Sequence, residues 1–384
     1  MEQSRRIALL IGQDLSFSRN VIRGVREYAL GKPTWVFRNG PATKEVLPFL
    51  RDWNPHGIIA GLYDKDFAHR VVKLRKPLVD TGCTIAGLKV PVVDVDHAAV
   101  GRMAAEYFLN LGFQNFGYFG VEAAVHSRLR EQSFRERLAE AGRTATSCYE
   151  NYLEQASTTT SWRVLDRQTR RWLQELAKPV AVFACNDIPA RALADACSQL
   201  GLHIPSQVAL LGVDNDDLEC SLTVPPLSSI AIPDERIGYE AAHLLDQIMS
   251  DGRRPSAPLF LPPVRVVTRQ STDTLAVSDP VVSAAIRFIY EHATEGVNVE
   301  SVVLHVAVHR RELERKFRRI VGHSVLHELR RSRIEHAKRL LAATRLPMSQ
   351  IARQSGFSTP QRMAAVFQSF ERMSPTAYRR RVRG

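Results

Sequence analysis

Short apolar runs alternate with helical stripes along the first 279 positions. Strand-like runs lie at residues 6–11, 35–38, 57–60, 77–80, 92–95, 116–119, 180–185 and 208–211. Between most of them apolar positions recur at helical spacing. Val21, Val25, Tyr28 and Ala29 come first, followed by stretches at 98–111, 127–141, 164–176 and 188–200. Continuous apolar runs mark buried strands, and a period near 3.6 marks a helix. Their alternation predicts parallel sheets with helices on both faces. About nine such strands exceed one unit of ordinary size, which predicts two similar lobes, with a single large sheet as the alternative.

From residue 280 the pattern changes to helices alone. An amphipathic helix is predicted over 280–293, with Pro280 at its start. A stripe at 299–306, a turn at Ala307-Val308-His309 and a helix over 310–320, closed by Gly322, form one helix–turn–helix unit. A long helix over 325–342 leads to a second unit. It comprises 348–354, a turn at Ser355-Gly356-Phe357-Ser358 and a helix from Thr359 to Phe370. Leu313, Phe317, Ile351, Phe357 and Phe367 are expected core.

Charge separates the same two regions. The 384 residues carry 52 basic and 40 acidic side chains. Residues 280–384 hold 20 basic and 8 acidic ones, so the whole excess of +12 lies there and the first 279 residues balance to zero. A neutral body with a basic terminal module points to a polyanion partner, most simply nucleic acid. No apolar run approaches the roughly 20 residues of a membrane span. The N-terminal run is too short for a signal peptide, and five scattered Cys without a Cys-x-x-Cys fit a reducing compartment. A cytoplasmic protein without a membrane partner is expected.

In open parallel sheets, ligands bind outside the carboxyl ends of the strands. That rule selects residues 13–18, Asp80, Asn186-Asp187 and Asp214-Asn215-Asp216-Asp217. Each tip has a bland alternative as a helix cap or turn. The stretches Ala181-Val182-Phe183-Ala184-Cys185-Asn186-Asp187, Leu210-Leu211-Gly212-Val213-Asp214-Asn215-Asp216 and Val224-Pro225-Pro226-Leu227-Ser228-Ser229-Ile230 resemble the sugar-binding core of the LacI family. The resemblance covers about residues 5–270. It implies an α/β, two-lobed fold like the type I periplasmic binding proteins, here without that family's N-terminal DNA-binding helices. By matching motif it implies sugar contacts at Arg130, Phe134, Trp162, Asn186 and Asp214; the strand-end rule adds Ser16, Phe17 and Asp80 from the first lobe. Hydroxyls both donate and accept, so Arg, Asn and Asp suit them, and an aromatic ring suits the C–H face of a pyranose.

The basic module resembles the AraC-family DNA-binding domain across essentially all of 280–384. The motifs are Leu313-Glu314-Arg315-Lys316-Phe317, Ile351-Ala352 with Gly356-Phe357, and Ser374-Pro375-Thr376-Ala377-Tyr378-Arg379. Ala307 replaces the usual turn Gly and His309 the usual N-cap Ser; Met363 and Ala365 also depart from the pattern. The resemblance implies an all-α domain with two helix–turn–helix units that bind DNA. Base contacts are expected from Arg310, Arg311, Glu314 and Arg315 on the first recognition helix, and from Thr359, Gln361 and Arg362 on the second. Arginines 318, 319, 330, 331 and 379–381 are expected on phosphate or in solvent.

These readings divide the chain into a sensor at 1–272, a linker at 273–279 and a DNA-binding domain at 280–384. Sensor followed by reader, with the join at 261–273, resembles sugar-operon activators. That implies a pentose effector, D-xylose, and RNA polymerase as a further partner. Another monosaccharide is the alternative effector. A homodimer through the sensor is expected, with Ile237, Ala241, Leu244, Leu245 and Ile248 or the helix at 20–28 as the face. No cofactor is expected. His305/His309 and His323/His327 have helical metal spacing but no supporting acidic or Cys cluster. No catalytic motif is present, so a sugar-processing enzyme is the weaker alternative.

Overall fold

A computed structural model describes residues 4–32, 34–82, 85, 87–122, 124–150, 165–252, 257–273, 279–344 and 346–383. The chain divides into two units, residues 1–273 and 274–384. The first runs β1 (Arg5–Leu10), α1 (Ser16–Ala29), β2 (Trp35–Gly40), α2 (Leu47–Trp53), β3 (Gly57–Ala60), α3 (Lys65–Val72), β4 (Leu78–Asp80), β5 (Val93–Val95), α4 (His97–Asn110), β6 (Asn115–Val121), α5 (Val125–Glu140), β7 (Ala145–Glu150), α6 (Arg167–Glu175), β8 (Val180–Ala184), α7 (Asp187–Gln199), β9 (Val208–Val213), α8 (Asp217–Leu222), β10 (Ser228–Ala231), α9 (Asp234–Asp251), β11 (Leu259–Leu261) and β12 (Arg265–Val267).

Two sheets resolve the choice between two lobes and one large sheet. A four-stranded parallel sheet in the order β2-β1-β3-β4 makes the first lobe. A six-stranded sheet, β12-β10-β9-β8-β6-β7, makes the second, parallel except where β12 pairs antiparallel with β10. A short parallel pair, β5 with β11, carries two of the crossings between the lobes. The strands with an unbroken apolar pattern, β3, β8 and β9, are buried along their whole length. Four strands lie outside the runs expected from sequence: β7, buried only at Ala145 and Cys148, the short β10, and the three-residue β11 and β12, no residue of which is fully buried.

Two helix pairs fix how these elements pack. A Cβ on Gly24 of α1 would stand 1.8 Å from the Glu235 carbonyl oxygen, and one on Gly238 of α9 would stand 1.9 Å from that of Val21. Only glycine lets the two backbones touch there. The same device joins α4 to α5, where a Cβ on Gly101 would meet the Arg130 carbonyl oxygen at 2.1 Å. The α1–α9 contact also corrects most of one of the two expected dimer faces, the stripe of α9, of which Leu244 stays half-buried. Ile237, Ala241, Leu245 and Ile248 are buried within their own lobe, because the apolar stripe of α9 already has α1 and the first sheet to cover it.

The second unit runs α10 (Pro280–His292), α11 (Val299–Val306), α12 (Arg310–Val321), α13 (Val325–Ala343), α14 (Met348–Gln354), α15 (Pro360–Glu371) and α16 (Pro375–Arg383). Its starts are written in the sequence. Asp279 caps α10 by accepting from Val281 and Val282 N, and Asn298 with Ser301 forms a capping box on α11. Two apolar clusters result, one around Leu313 and Phe317, the other around Ile351, Phe357 and Phe367. The long α13 serves both, giving Val325 and Leu329 to the first and Ile334, Ala337 and Leu341 to the second.

Candidate ligand cleft and nucleic-acid interface

The carboxyl ends of the parallel strands gather the polar residues of the first unit. Asn186 follows β8 and Asp214 follows β9, and Asn186 Nδ2 donates to Asp214 Oδ2 at 2.5 Å. Arg130, on the second turn of α5 and only 2% exposed, donates from Nη1 to the Cys185 carbonyl and holds Nη2 4.0 Å from Asp214 Oδ1. His126, one turn earlier on α5, reaches Asn186 Oδ1 through Nε2 at 3.1 Å. Arg130, Asn186 and Asp214, chosen from sequence, are thus brought together. Asp214 and Asn215 both sit at positive φ, 102° and 53°, a conformation that L-residues hold only when their surroundings impose it.

Burial raises the Asp214 carboxyl to about 6, against the lowering pull of Arg130 and Asn186. Asp94 on β5 is raised further, to about 7, again by burial. His97 lies 3.4 Å from Asp94, yet burial and Arg130 depress its imidazole to about 2. With the imidazole neutral, that contact is no ion pair. The cleft therefore sets neutral imidazole and amide groups beside Arg130 and the Asp214 carboxyl, whose opposite charges offset when Asp214 is ionised, and that balance suits an uncharged polyol better than an anion.

The other residues selected from sequence fall in different places. Ser16 opens α1 on the first-lobe side, where its backbone N donates to Asp216 Oδ2 at 3.3 Å, a bond from one lobe to the other. Phe17 follows it and is half-buried. Asp80 is buried, and its Oδ1 accepts from the Leu62 and Gly82 N–H groups at 3.0 Å, so it shapes two turns. Phe134 is fully buried between Phe183 and Tyr118, with ring centroids 5.2 and 6.4 Å away. It is a core ring with no open face for a ligand. Trp162 lies outside the described residues.

The two acidic tips divide their labour in a way spacing alone does not show. Asp216 is the cap, accepting from Leu218 and Glu219 N at the start of α8. Asp187 accepts from Ser229 Oγ at 2.6 Å and from Asp216 N at 2.8 Å, tying three strand ends together. Tyr63 went unremarked in the sequence. It follows β3 and is 53% exposed, and its hydroxyl is raised by the crowding around it and by the facing carboxylates of Asp94, Asp80 and Asp214. Its place after an apolar strand was the signal available.

In the second unit, Arg310, Arg311 and Arg315 stand exposed on α12, with Arg310 paired to Glu300. Glu314 is half-buried, 3.8 Å from Arg318. On α15, Gln361 and Arg362 are exposed, and Thr359 caps the helix by accepting from Arg362 N at 3.2 Å. Ala307 takes the left-handed conformation, φ 53°, that glycine ordinarily supplies, and His309 Nδ1 does the capping work of the usual serine. Two arginines expected on phosphate or in solvent are structural instead. Arg331 binds Glu328 and Tyr290, and Arg379 donates to the Leu346 carbonyl at 2.7 Å. The histidine pairs have other partners too: His305 stacks on Phe288, and His323 meets Glu328 at 2.7 Å.

Comparison with known proteins joins the two halves. Residues 105–272 match the periplasmic binding protein-like domain, and residues 303–381 match a helix-turn-helix domain. The xylose operon regulatory protein of Escherichia coli K12 is 28% identical over 97% of this chain and 96% of its own length. That of Haemophilus influenzae is 27% identical over 98% and 99%. The solved structure of a xylose-binding transcription activator superposes with a TM-score of 0.80 at 26% identity, over 99% of this chain and 98% of that one.

The chain is a transcription regulator. It couples a periplasmic-binding-protein-like sensor to an AraC-type helix–turn–helix domain, and the relatives over its full length are named as regulators, not enzymes. Within the regulator, α11 with α12 and α14 with α15 form the two helix–turn–helix units.

Proposed function

We propose that the regulator binds a pentose, D-xylose, in the cleft of its first unit and activates sugar-utilisation genes by binding DNA through its second. The observation that carries this is the Arg130–Asn186–Asp214 constellation at the strand ends, in a chain whose basic excess lies wholly in a helix–turn–helix module. Similarity to xylose regulators over nearly the whole chain supports the choice of sugar. Arg310, Arg311, Glu314, Arg315, Gln361 and Arg362 face base edges, while Thr359 is spent chiefly as a cap. The regulator acts in the cytoplasm as a homodimer that engages repeated half-sites and RNA polymerase. Its dimer face lies elsewhere than the buried stripe of α9.

The sugar binds from both lobes and so favours the closed arrangement, of which the Ser16–Asp216 bond is one element. Only differential affinity for open and closed forms transmits the signal. Calorimetry against a panel of pentoses and hexoses, paired with DNA titration in the presence and absence of each, tests the assignment. Tightest binding of D-xylose, with the largest change in DNA affinity, is the expected result. A stronger response to another monosaccharide moves the effector, and recovery of a chemically altered sugar makes the protein an enzyme.

A further inference from the structure

His97 is the first residue of α4 and is 7% exposed, but neither Nδ1 nor Nε2 has a hydrogen-bond partner among the described residues. Its Nε2 lies 3.4 Å from Asp94 Oδ2 without hydrogen-bond geometry, and Asp94 Oδ1 is occupied by Val95 N at 2.7 Å. The ring of His126, which holds Asn186, stands 5.9 Å away, centroid to centroid. Arg130 Nε beside them is also buried and unpaired. Buried polar atoms are nearly always satisfied, so these unpaired ones beside Asn186 call for a group that the described residues do not supply.

We propose that His97 is a specificity-determining contact, hydrogen-bonding one particular hydroxyl of the sugar. This rests on the sugar-binding reading of the cleft. A neutral imidazole offers one donor and one acceptor, which matches a hydroxyl in either sense. Its position at the start of α4, against α5 through Gly101, holds the ring on the same rigid pair of helices as Arg130 and His126. A sugar lacking that hydroxyl leaves the imidazole unpaired, and sites of this kind discriminate strongly against such analogues.

The test is calorimetry of the full chain with D-xylose and its 2-, 3- and 4-deoxy analogues, on wild type, His97→Leu, His97→Gln and Asp214→Asn. His97→Leu is expected to weaken D-xylose by about 10- to 100-fold. For one analogue alone, wild type and His97→Leu should bind alike, because the partner hydroxyl is already gone. His97→Gln, which keeps a donor and an acceptor, should recover part of the loss, and it carries the same comparison if the leucine variant does not fold. Unchanged binding by His97→Leu, or an equal loss for every analogue, overturns the proposal by reducing His97 to a packing residue. If Asp214→Asn loses the sugar while His97→Leu does not, the cleft stands and His97 falls. Failure of wild type to bind D-xylose removes the sugar reading itself, and this inference with it.

Discussion

Asn186 Nδ2 and Asp214 Oδ2 meet at 2.5 Å and lock together the tips of β8 and β9. The bond orients the Asp214 carboxylate toward Arg130 while leaving it 19% exposed, so one edge remains for a ligand hydroxyl. Asp214→Asn keeps the shape and tolerates the left-handed backbone, but it replaces an acceptor with a donor facing Asn186 and Arg130. The expected outcome is loss of D-xylose binding by at least tenfold and loss of the sugar's effect on DNA binding. Affinity for non-specific DNA should be unchanged, since the basic module is untouched. DNA titration with and without sugar, on wild type and variant, measures both. A variant that responds like wild type makes Asp214 a turn residue and misplaces the site.

The buried carboxyls set a pH dependence for the sensor. Asp94 and Asp214 titrate near 7 and 6 in the folded chain, both raised by burial, and near 3.9 when unfolded. Between about pH 4 and 7 these two groups hold more protons in the native than in the unfolded state, so they make stability fall as pH rises through that window. Asp94→Asn should flatten the slope and raise stability toward the neutral end. Urea denaturation of the sugar-free protein from low to neutral pH decides it. An unaltered slope in the variant would show that Asp94 ionises freely.

What the sequence revealed and what it hid follow from the range of the interactions concerned. Strand runs such as residues 180–184 and caps such as Asn298 with Ser301 are local, and they were legible. Asn186 and Asp214 are legible because each follows an apolar strand run, whereas Arg130 is legible only through the resemblance to the LacI family. The roles of Phe134, Asp187 and His97 depend on partners dozens of residues away: Phe134 packs on Phe183, Asp187 binds Ser229, and His97 faces His126. Amphipathicity of α9 marked a stripe to be covered but not its cover, which is α1 from the far end of the unit.

Ala307 closes α11 at φ 53°, where a Cβ crowds the backbone and glycine does not. Ala307→Gly should therefore stabilise the second unit by about 1 kcal/mol, the strain relieved exceeding the added freedom of the unfolded chain. Denaturant titration of the full chain, followed by its helical signal, would show the unit's transition at higher denaturant. A shift to lower denaturant would mean that the alanine sits there without strain. Because His309 begins the next helix just beyond the turn, DNA affinity should hold or improve slightly.

Arg315 and Arg380 separate base reading from charge. Arg315 is exposed on α12, the second helix of the first helix–turn–helix unit, and Arg380 is exposed on α16, after the second unit. A guanidinium on guanine discriminates between bases, whereas one on phosphate does not. Arg315→Ala should cost about 1–3 kcal/mol on the operator and relax specificity at one base position. Arg380→Ala should weaken all sequences alike and reduce the log–log salt slope by about 0.9 for the one phosphate released. Titrations of operator and scrambled DNA across a salt series distinguish the two, because only a base contact changes the ratio of specific to non-specific affinity. Equal, sequence-independent losses for both variants would place Arg315 on phosphate and shift base reading on α12 to Arg310 and Arg311. Of that pair, Arg310 would first have to leave Glu300, so Arg311 would then be the residue to replace.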